Sequence, residues 1–320
     1  MPSYLILRAI SFLAAVAIPL LLFKPMAFAI FSMPLTIAHY LLAVPYSKKY
    51  VVDAMKRPTS GTLFMLLIAA SVVLAWINLP TMLFIAFGIH YVFSEVYLMY
   101  ENTLPNQWKD TRAIRLASLV CNSFVYFAST RYPTYGHRPE MELFYWTGYA
   151  ISACVLACQI FRARKILTKD QLMNVFAFES LGLAFVIMGL MHPVSLVNFI
   201  FYHVLFWVLY PSWRMTSSKQ TKPLMVFLGA NIALTALIVL LSPYSPLPYH
   251  WLSREEFFQW YSWGALVHII ISLGMSTAQP AWITRLFHPD FERRENLLSP
   301  SAILGQANVS RRKEGVNPIL

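Results

Sequence analysis

Four histidines lie inside strongly apolar stretches of this chain: His39, His90, His203 and His268. Two glutamates, Glu95 and Glu179, lie in the same kind of stretch. An ionisable side chain is expensive to place in lipid, so such residues usually have a function. Neutral imidazoles bind Fe(II), Cu and Zn, and carboxylates often orient the ligating rings through their second nitrogen. The six residues therefore predict one buried polar site, with a redox metal as the first candidate.

The composition indicates an all-α polytopic membrane protein. Of the 320 residues, 58% are hydrophobic and 12% are charged, whereas a soluble domain has roughly 25% charged residues. The net charge of +11 does not indicate a nucleic-acid partner, because the positive residues lie in short loops between apolar spans. Membrane lipids are the expected surroundings.

Stretches of about 20 apolar residues predict transmembrane helices. We expect about ten of them in a single bundle, at about 4–23, 26–46, 61–79, 82–101, 113–131, 143–161, 172–191, 194–211, 223–242 and 257–280. The chain then divides into a transmembrane domain, 1–284, and a basic cytoplasmic tail, 285–320.

The distribution of Lys and Arg predicts the orientation in the membrane. Fourteen of these residues lie in the segments after the second, fourth, sixth and eighth spans. Far fewer lie in the alternate loops, among them Arg131, Arg138 and Arg254. By the positive-inside rule, both termini should be cytoplasmic in a multi-pass protein of the inner (cytoplasmic) membrane.

The first apolar stretch has two interpretations. Arg8, the apolar run after it and the small residues around Ala27-Phe28-Ala29 resemble a signal peptide,. A retained helix is the favoured interpretation. Cleavage would leave nine helices, and on sequence grounds it should change nothing at the buried site.

Each buried histidine taken singly is best explained as a hydrogen-bonded packing residue between helices. A rise of 1.5 Å per residue, however, places all six groups within about one and a half turns of the bilayer midplane or just cytoplasmic of it. They lie on five different predicted helices, and that number favours a shared site. Three further residues, Tyr91, Tyr202 and Trp207, flank the histidines and are candidates for a substrate slot, although ordinary aromatic packing also explains them,.

The three cysteines, Cys121, Cys154 and Cys158, all lie in apolar segments. We expect them to be small buried residues of the helix packing. The sequence has no CxxC or CxxCH motif, which argues against covalently attached haem and a structural zinc site,.

Four short motifs resemble one known family. They are Ile37-Ala38-His39-Tyr40, the segment from His90 to Glu95, the run from Phe178 to Phe185, and Leu266-Val267-His268-Ile269. Together they resemble the Brp/Blh family of bacterial and archaeal β-carotene 15,15'-dioxygenases, over a region from the second to the last predicted helix. The resemblance implies a non-haem Fe(II) held by His39, His90, His203 and His268, with Glu95 and Glu179 as acidic partners. It also implies a lipophilic polyene and O₂ as substrates and retinal as product.

The chain departs from the family pattern in the segment 194–211. The family places two histidines four residues apart there, whereas Trp207 and Pro211 stand at about those positions in this chain. His203 is one turn earlier, on the same helix face as Trp207. Either His203 is a ligand from a shifted position, or the chemistry of the family is altered or lost.

Two other functions use the same residues. Paired histidines could hold a b-type haem in a protein without oxygenase activity. Alternatively, buried His and Glu could serve a carotenoid-binding or transport protein. Neither haem-packing glycines nor broken-helix pairs are evident in the sequence, so both rank below an iron oxygenase.

Overall fold

A computed structural model describes residues 3–22, 25–104, 111–130, 139–191, 196–245, 251–273 and 286–287. These residues form helices joined by turns and contain no β-strand. The helices are α1 (Ser3–Leu22), α2 (Pro25–Met55), α3 (Pro58–Thr103), α4 (Arg112–Thr130), α5 (Pro139–Ala163), α6 (Lys169–Met191), α7 (Leu196–Ser217), α8 (Thr221–Leu241) and α9 (Arg254–Leu273).

Six helical segments among the described residues are long and apolar enough to cross a membrane. They are Thr81–Tyr100, Arg112–Thr130, Glu140–Ala163, Lys169–Gly189, Leu196–Ser217 and Thr221–Leu241. Shorter apolar helices cover Tyr4–Ile18 and Pro58–Leu74. The predicted all-α class is therefore confirmed, but the predicted count of about ten spans is not.

Helix α3 corrects the predicted boundaries most clearly. The segments 61–79 and 82–101 were predicted as two helices, but they belong to one continuous helix of 46 residues. A proline such as Pro80 removes one backbone hydrogen bond and tends to kink a helix, but prolines are tolerated inside long apolar helices that cross membranes. Helix α2 likewise continues past residue 46 to Met55. The predicted segment 274–280 lies outside the described residues.

Helix α1 is held to the bundle by polar contacts at three levels. The Tyr4 hydroxyl lies 2.5 Å from the Thr103 hydroxyl, Arg8 forms an ion pair with Glu95, and the amide of Asn198 donates to the Ala15 carbonyl at 2.7 Å. The expectation that loss of this helix would leave the buried site unchanged is therefore wrong, because the cation of Arg8 would be removed from Glu95.

The interior of the bundle is formed mainly by the C-terminal part of α3 with α1, α4, α6, α7 and α9. Helices α5 and α8 are peripheral and expose apolar side chains such as Ile151 and Ile232. Cys121 is buried as predicted, but the prediction is wrong for Cys154 and Cys158, which are exposed on α5. Apolar surface of this kind suits a helix that faces lipid.

Three helix ends have local sequence causes. Thr168 and Gln171 exchange side-chain-to-backbone hydrogen bonds at the start of α6, as Ser253 and Glu256 do at the start of α9. Both pairs are capping boxes. Lys219 ends α7 with a φ of 55°, and the next N–H, that of Gln220, donates to the Met215 carbonyl at 2.8 Å. This is a Schellman motif with lysine in the position that glycine usually takes.

The predicted tail 285–320 lies outside the described residues except for Leu286 and Phe287. Phe287 is buried against Phe64 of α3 and Ile270 and Ile271 of α9. The Ser60 hydroxyl also donates to the Leu286 carbonyl at 3.1 Å. The chain therefore still packs on the helices two residues after the predicted start of the tail.

Candidate metal centre

The four histidines come together from four different helices. His39 of α2, His90 of α3, His203 of α7 and His268 of α9 form a closed ring of aromatic contacts. Neighbouring ring centroids are 4.9 Å apart for His90–His203 and His39–His268, 5.5 Å for His90–His268 and 6.4 Å for His39–His203. His39 is partly exposed, whereas the other three are buried.

The hydrogen bonds of His90 indicate which of its ring nitrogens is unprotonated and can bind a metal. The Ser272 hydroxyl donates to the Ile269 carbonyl at 2.8 Å, so its oxygen is available to accept from Nδ1–H of His90 at 3.1 Å. The opposite nitrogen of that neutral ring, Nε2, then has a lone pair. It lies 3.2 Å from Nε2 of His203.

The other nitrogen of His203, Nδ1, faces the carboxylate of Glu95. Its Nδ1 lies 3.8 Å from Oε1 of Glu95, and neither atom has a hydrogen-bond partner among the residues that the structure describes. If Nδ1 carries the proton, as the carboxylate favours, Nε2 of His203 has a lone pair as well. Two lone pairs then face each other at 3.2 Å, an arrangement that a cation between them would stabilise.

The nitrogens of the other histidines suit a metal ion that prefers imidazole ligands. One nitrogen each from His39, His203 and His268 lies within 4.8 Å of the others. Bonds of about 2.0–2.1 Å to one ion place ligating nitrogens about 3–3.4 Å apart, so the three nitrogens would have to move closer together to bind one ion. Nδ1 of His268 is buried without a hydrogen-bond partner in the described part of the chain. The donor set is therefore suited to Fe(II), Cu or Zn.

Glu95 is held on one side by a cation and a phenol. Its Oε2 forms the ion pair with Arg8 and accepts from the Tyr202 hydroxyl at 3.0 Å. Arg8 in turn donates to the Tyr202 oxygen at 3.2 Å. The free oxygen, Oε1, faces His203. This arrangement places one carboxylate oxygen of Glu95 beside the imidazole of His203.

The three aromatic residues predicted to bind substrate all lie around His203. The rings of Tyr91 and Trp207 are each 6.2 Å from the imidazole of His203, and Tyr202 is buried beside Tyr91. Tyr91 and Tyr202 pack within the protein core. Tyr202 is therefore placed to act on Glu95 rather than to line an open slot.

A groove that the sequence did not indicate lies on the other side of the histidines. It is lined by apolar residues of α2, α3, α8 and α9, including Ile37, Leu41, Val72, Ile238, Trp260 and Trp263, and its volume is about 480 Å³. Tyr40 lines the groove and also stacks on His268 with ring centroids 4.9 Å apart. Tyr40 thus lies between an apolar groove and the imidazole of His268. We call this cavity the α2–α9 groove.

Glu179 does not join the histidines. Its carboxylate accepts from the hydroxyl of Ser118 at 2.5 Å, the amide of Asn122 at 3.1 Å and the hydroxyl of Tyr100 at 3.4 Å. Phe178, the preceding residue, faces Arg8, and successive residues of a helix point about 100° apart. Helix α6 therefore presents a phenylalanine to Arg8 and directs Glu179 towards α3 and α4, which gives no support to a role in orienting an imidazole.

Sequence reasoning missed three residues of the site. Arg8 is a lone cation in an apolar helix, which is a signal in itself, but its position near the N-terminus favoured a signal-peptide interpretation. Tyr40 follows His39 directly. Ser272 is four residues after His268, one turn further along α9.

Comparison with models of known families, with curated proteins and with solved structures found no match for this chain. The resemblance of its four short motifs to the dioxygenase family thus has no independent support. A function must be inferred from the chemistry of the buried residues.

Proposed function

We propose that this protein is a membrane-embedded non-haem iron oxygenase that cleaves a long polyene, with β-carotene and its product retinal as the first pair to test. The observation that carries the proposal is the ring of four imidazoles, in which Nε2 of His90 and Nε2 of His203 face each other at 3.2 Å. Each of the two histidines has a polar side chain near its other nitrogen.

The residues have separate roles in this proposal. His39, His90, His203 and His268 would hold the metal, and Fe(II) with an open coordination position supplies the activation of O₂. Ser272 fixes the ring of His90, and Glu95 faces the ring of His203. Such partners keep the lone pairs of the ligating nitrogens directed towards the metal.

The proposed reaction needs no additional reductant. The central C=C bond of the polyene breaks, and each of its carbons receives one oxygen atom of O₂. Two aldehydes form, and all electrons and atoms are accounted for by the polyene and O₂. No proton has to be delivered, which suits a site surrounded by apolar side chains.

The α2–α9 groove supports an apolar substrate. Its volume of about 480 Å³ lies in the range of about 300–1,000 Å³ that is usual for small-molecule sites. Trp260 and Trp263 offer flat apolar faces along it, and Tyr40 leads to His268. A polyene in this groove would remain in the apolar part of the protein throughout.

The geometry favours the oxygenase over a b-type haem. A haem needs a wide flat slot between its two axial histidines. In this ring each imidazole has two other imidazoles as neighbours, and Tyr40 and Phe87 pack against His268 and His203. These side chains take up the space into which a porphyrin would extend.

Expression in a bacterial host that accumulates β-carotene tests the proposal. We expect the colour to fade and retinal to appear with the wild-type protein, but not with His203→Ala. Cys154→Ser is the matched control, because Cys154 is exposed on the peripheral helix α5. Persistent colour without any apocarotenoid, with the protein found in the membrane and loaded with iron, would exclude cleavage of this substrate.

A further inference from the structure

Arg8 is a fully buried cation whose surroundings are specific. Its exposed fraction is 0%, and its guanidinium carbon lies 4.3 Å from the ring centre of Phe206 and 5.3 Å from that of Phe178. Aromatic faces stabilise a guanidinium in a dry environment. The remaining compensation comes from Glu95 and Tyr202.

The two oxygens of the Glu95 carboxylate have different surroundings because Arg8 contacts only one of them. Oε2 has both Arg8 and Tyr202 as partners. Oε1 has no hydrogen-bond partner in the described residues and lies 3.8 Å from Nδ1 of His203. A carboxylate that is fixed at one oxygen can turn only slightly, so the direction of Oε1 follows from the position of Arg8.

We propose that Arg8 is a positioning residue of the metal centre, which holds Glu95 so that its free oxygen faces Nδ1 of His203. This inference rests on the proposed function, because it requires His203 to be a metal ligand. With a proton on Nδ1, the lone pair of Nε2 points at His90. Helix α1 lies outside the region that resembles the dioxygenase family.

The competing explanation is that Arg8 only attaches α1 to the bundle. Tyr4, one turn earlier on the same helix, does that independently through the Thr103 hydroxyl and the Met99 sulfur. Tyr4→Phe therefore weakens the attachment of α1 without touching Glu95. It is the matched control for substitutions of Arg8.

A double-mutant cycle separates the two explanations. Arg8→Met, Glu95→Gln and the double variant are purified as full chains, and Co(II) binding is titrated by its visible absorption. Loss of a residue that orients a metal ligand lowers metal affinity roughly 10- to 100-fold. If Arg8 acts through Glu95, the double variant binds Co(II) no more weakly than Glu95→Gln, because the two losses are not additive.

If Arg8→Met does not fold, Arg8→Lys provides a second test of the same role. It retains a positive charge near Glu95, but its ammonium does not take the position of the guanidinium nitrogen Nη1, which contacts both Glu95 and Tyr202,. We expect a several-fold loss of Co(II) affinity with a melting temperature close to that of the wild type. Tyr4→Phe should bind Co(II) as the wild type does.

The outcomes distinguish this inference from the proposed function. Wild-type Co(II) affinity in Arg8→Lys and Arg8→Met, additive losses in the cycle, or an equal loss in Tyr4→Phe would each overturn the positioning role. Failure of the wild-type protein to bind Co(II) would overturn the metal centre and the positioning role together. Co(II) binding with the expected cycle but no polyene cleavage would overturn only the oxygenase.

Discussion

Glu95 and Glu179 are two carboxylates in the same helical bundle, the first buried and the second half-buried, and their surroundings differ in kind. Glu95 has a cation on one side and an imidazole on the other, and one of its oxygens has no hydrogen-bond partner within the described residues. Glu179 is surrounded by Ser118, Asn122 and Tyr100, which are neutral donors.

The difference shows that an ionisable residue within an apolar helix is not a functional site by itself. Neutral donors from α3 and α4 satisfy Glu179 and tie α6 to both helices, as polar side chains commonly do within membranes. Glu95 instead has an unused acceptor that faces an unused donor position on His203. Mutually directed groups without hydrogen-bond partners in the described residues distinguish the candidate metal centre from the interhelical contact.

The largest expected contrast is in bound metal. His203→Ala removes a central member of the imidazole ring and should abolish stoichiometric iron, measured by elemental analysis of the purified protein. Ser118→Ala changes only the Glu179 cluster and should leave the iron content unchanged. Loss of iron in both variants would mean that the two regions are one functional unit.

The second largest expected contrast is in the free energy of unfolding. Arg8→Met leaves the charge of Glu95 buried without its cation, and breaking a buried ion pair in this way costs roughly 3–5 kcal/mol. Asn122→Ala removes one of three donors to Glu179 and should cost about 1–2 kcal/mol. Reversible unfolding in detergent measures both values, and similar losses would contradict the distinction drawn between the two carboxylates.

Substitution of the two glutamates should affect metal affinity differently. We expect Glu95→Gln to weaken Co(II) binding roughly 10- to 100-fold, because the amide presents a weaker acceptor or a donor to Nδ1 of His203. Glu179→Gln should bind Co(II) as the wild type does. An equal effect of both changes in a binding titration would restore the predicted role of Glu179 as a partner of an imidazole.

The smallest contrast concerns the two tyrosines. Tyr202→Phe removes a 3.0 Å hydrogen bond to Glu95 and should cost about 0.5–1.5 kcal/mol in the free energy of unfolding,. Tyr100→Phe removes a longer contact of 3.4 Å to Glu179 and should cost less,. A greater loss for Tyr100→Phe would show that the Glu179 cluster is the more tightly coupled region.

Much of the helical architecture can be predicted from the sequence. Apolar composition gives the all-α class, and the pairs Thr168–Gln171 and Ser253–Glu256 explain where α6 and α9 begin,. The continuity of α3 could not be read in the same way, because a proline in an apolar stretch is compatible with a helix end or with an uninterrupted helix. The exposure of Cys154 was missed because hydropathy does not distinguish a lipid-facing side from an interior side.

The sequence by itself predicted that four histidines and two glutamates lie at a similar depth, because position along a helix axis follows directly from residue number. Only the tertiary structure decided which of them meet. The rotation of each helix about its axis is set by packing against its neighbours, and this rotation directs Glu95 to His203 and Glu179 away from it. The ion pair between Arg8 and Glu95 joins residues far apart in the chain, so it too depended on the assembly of the helices.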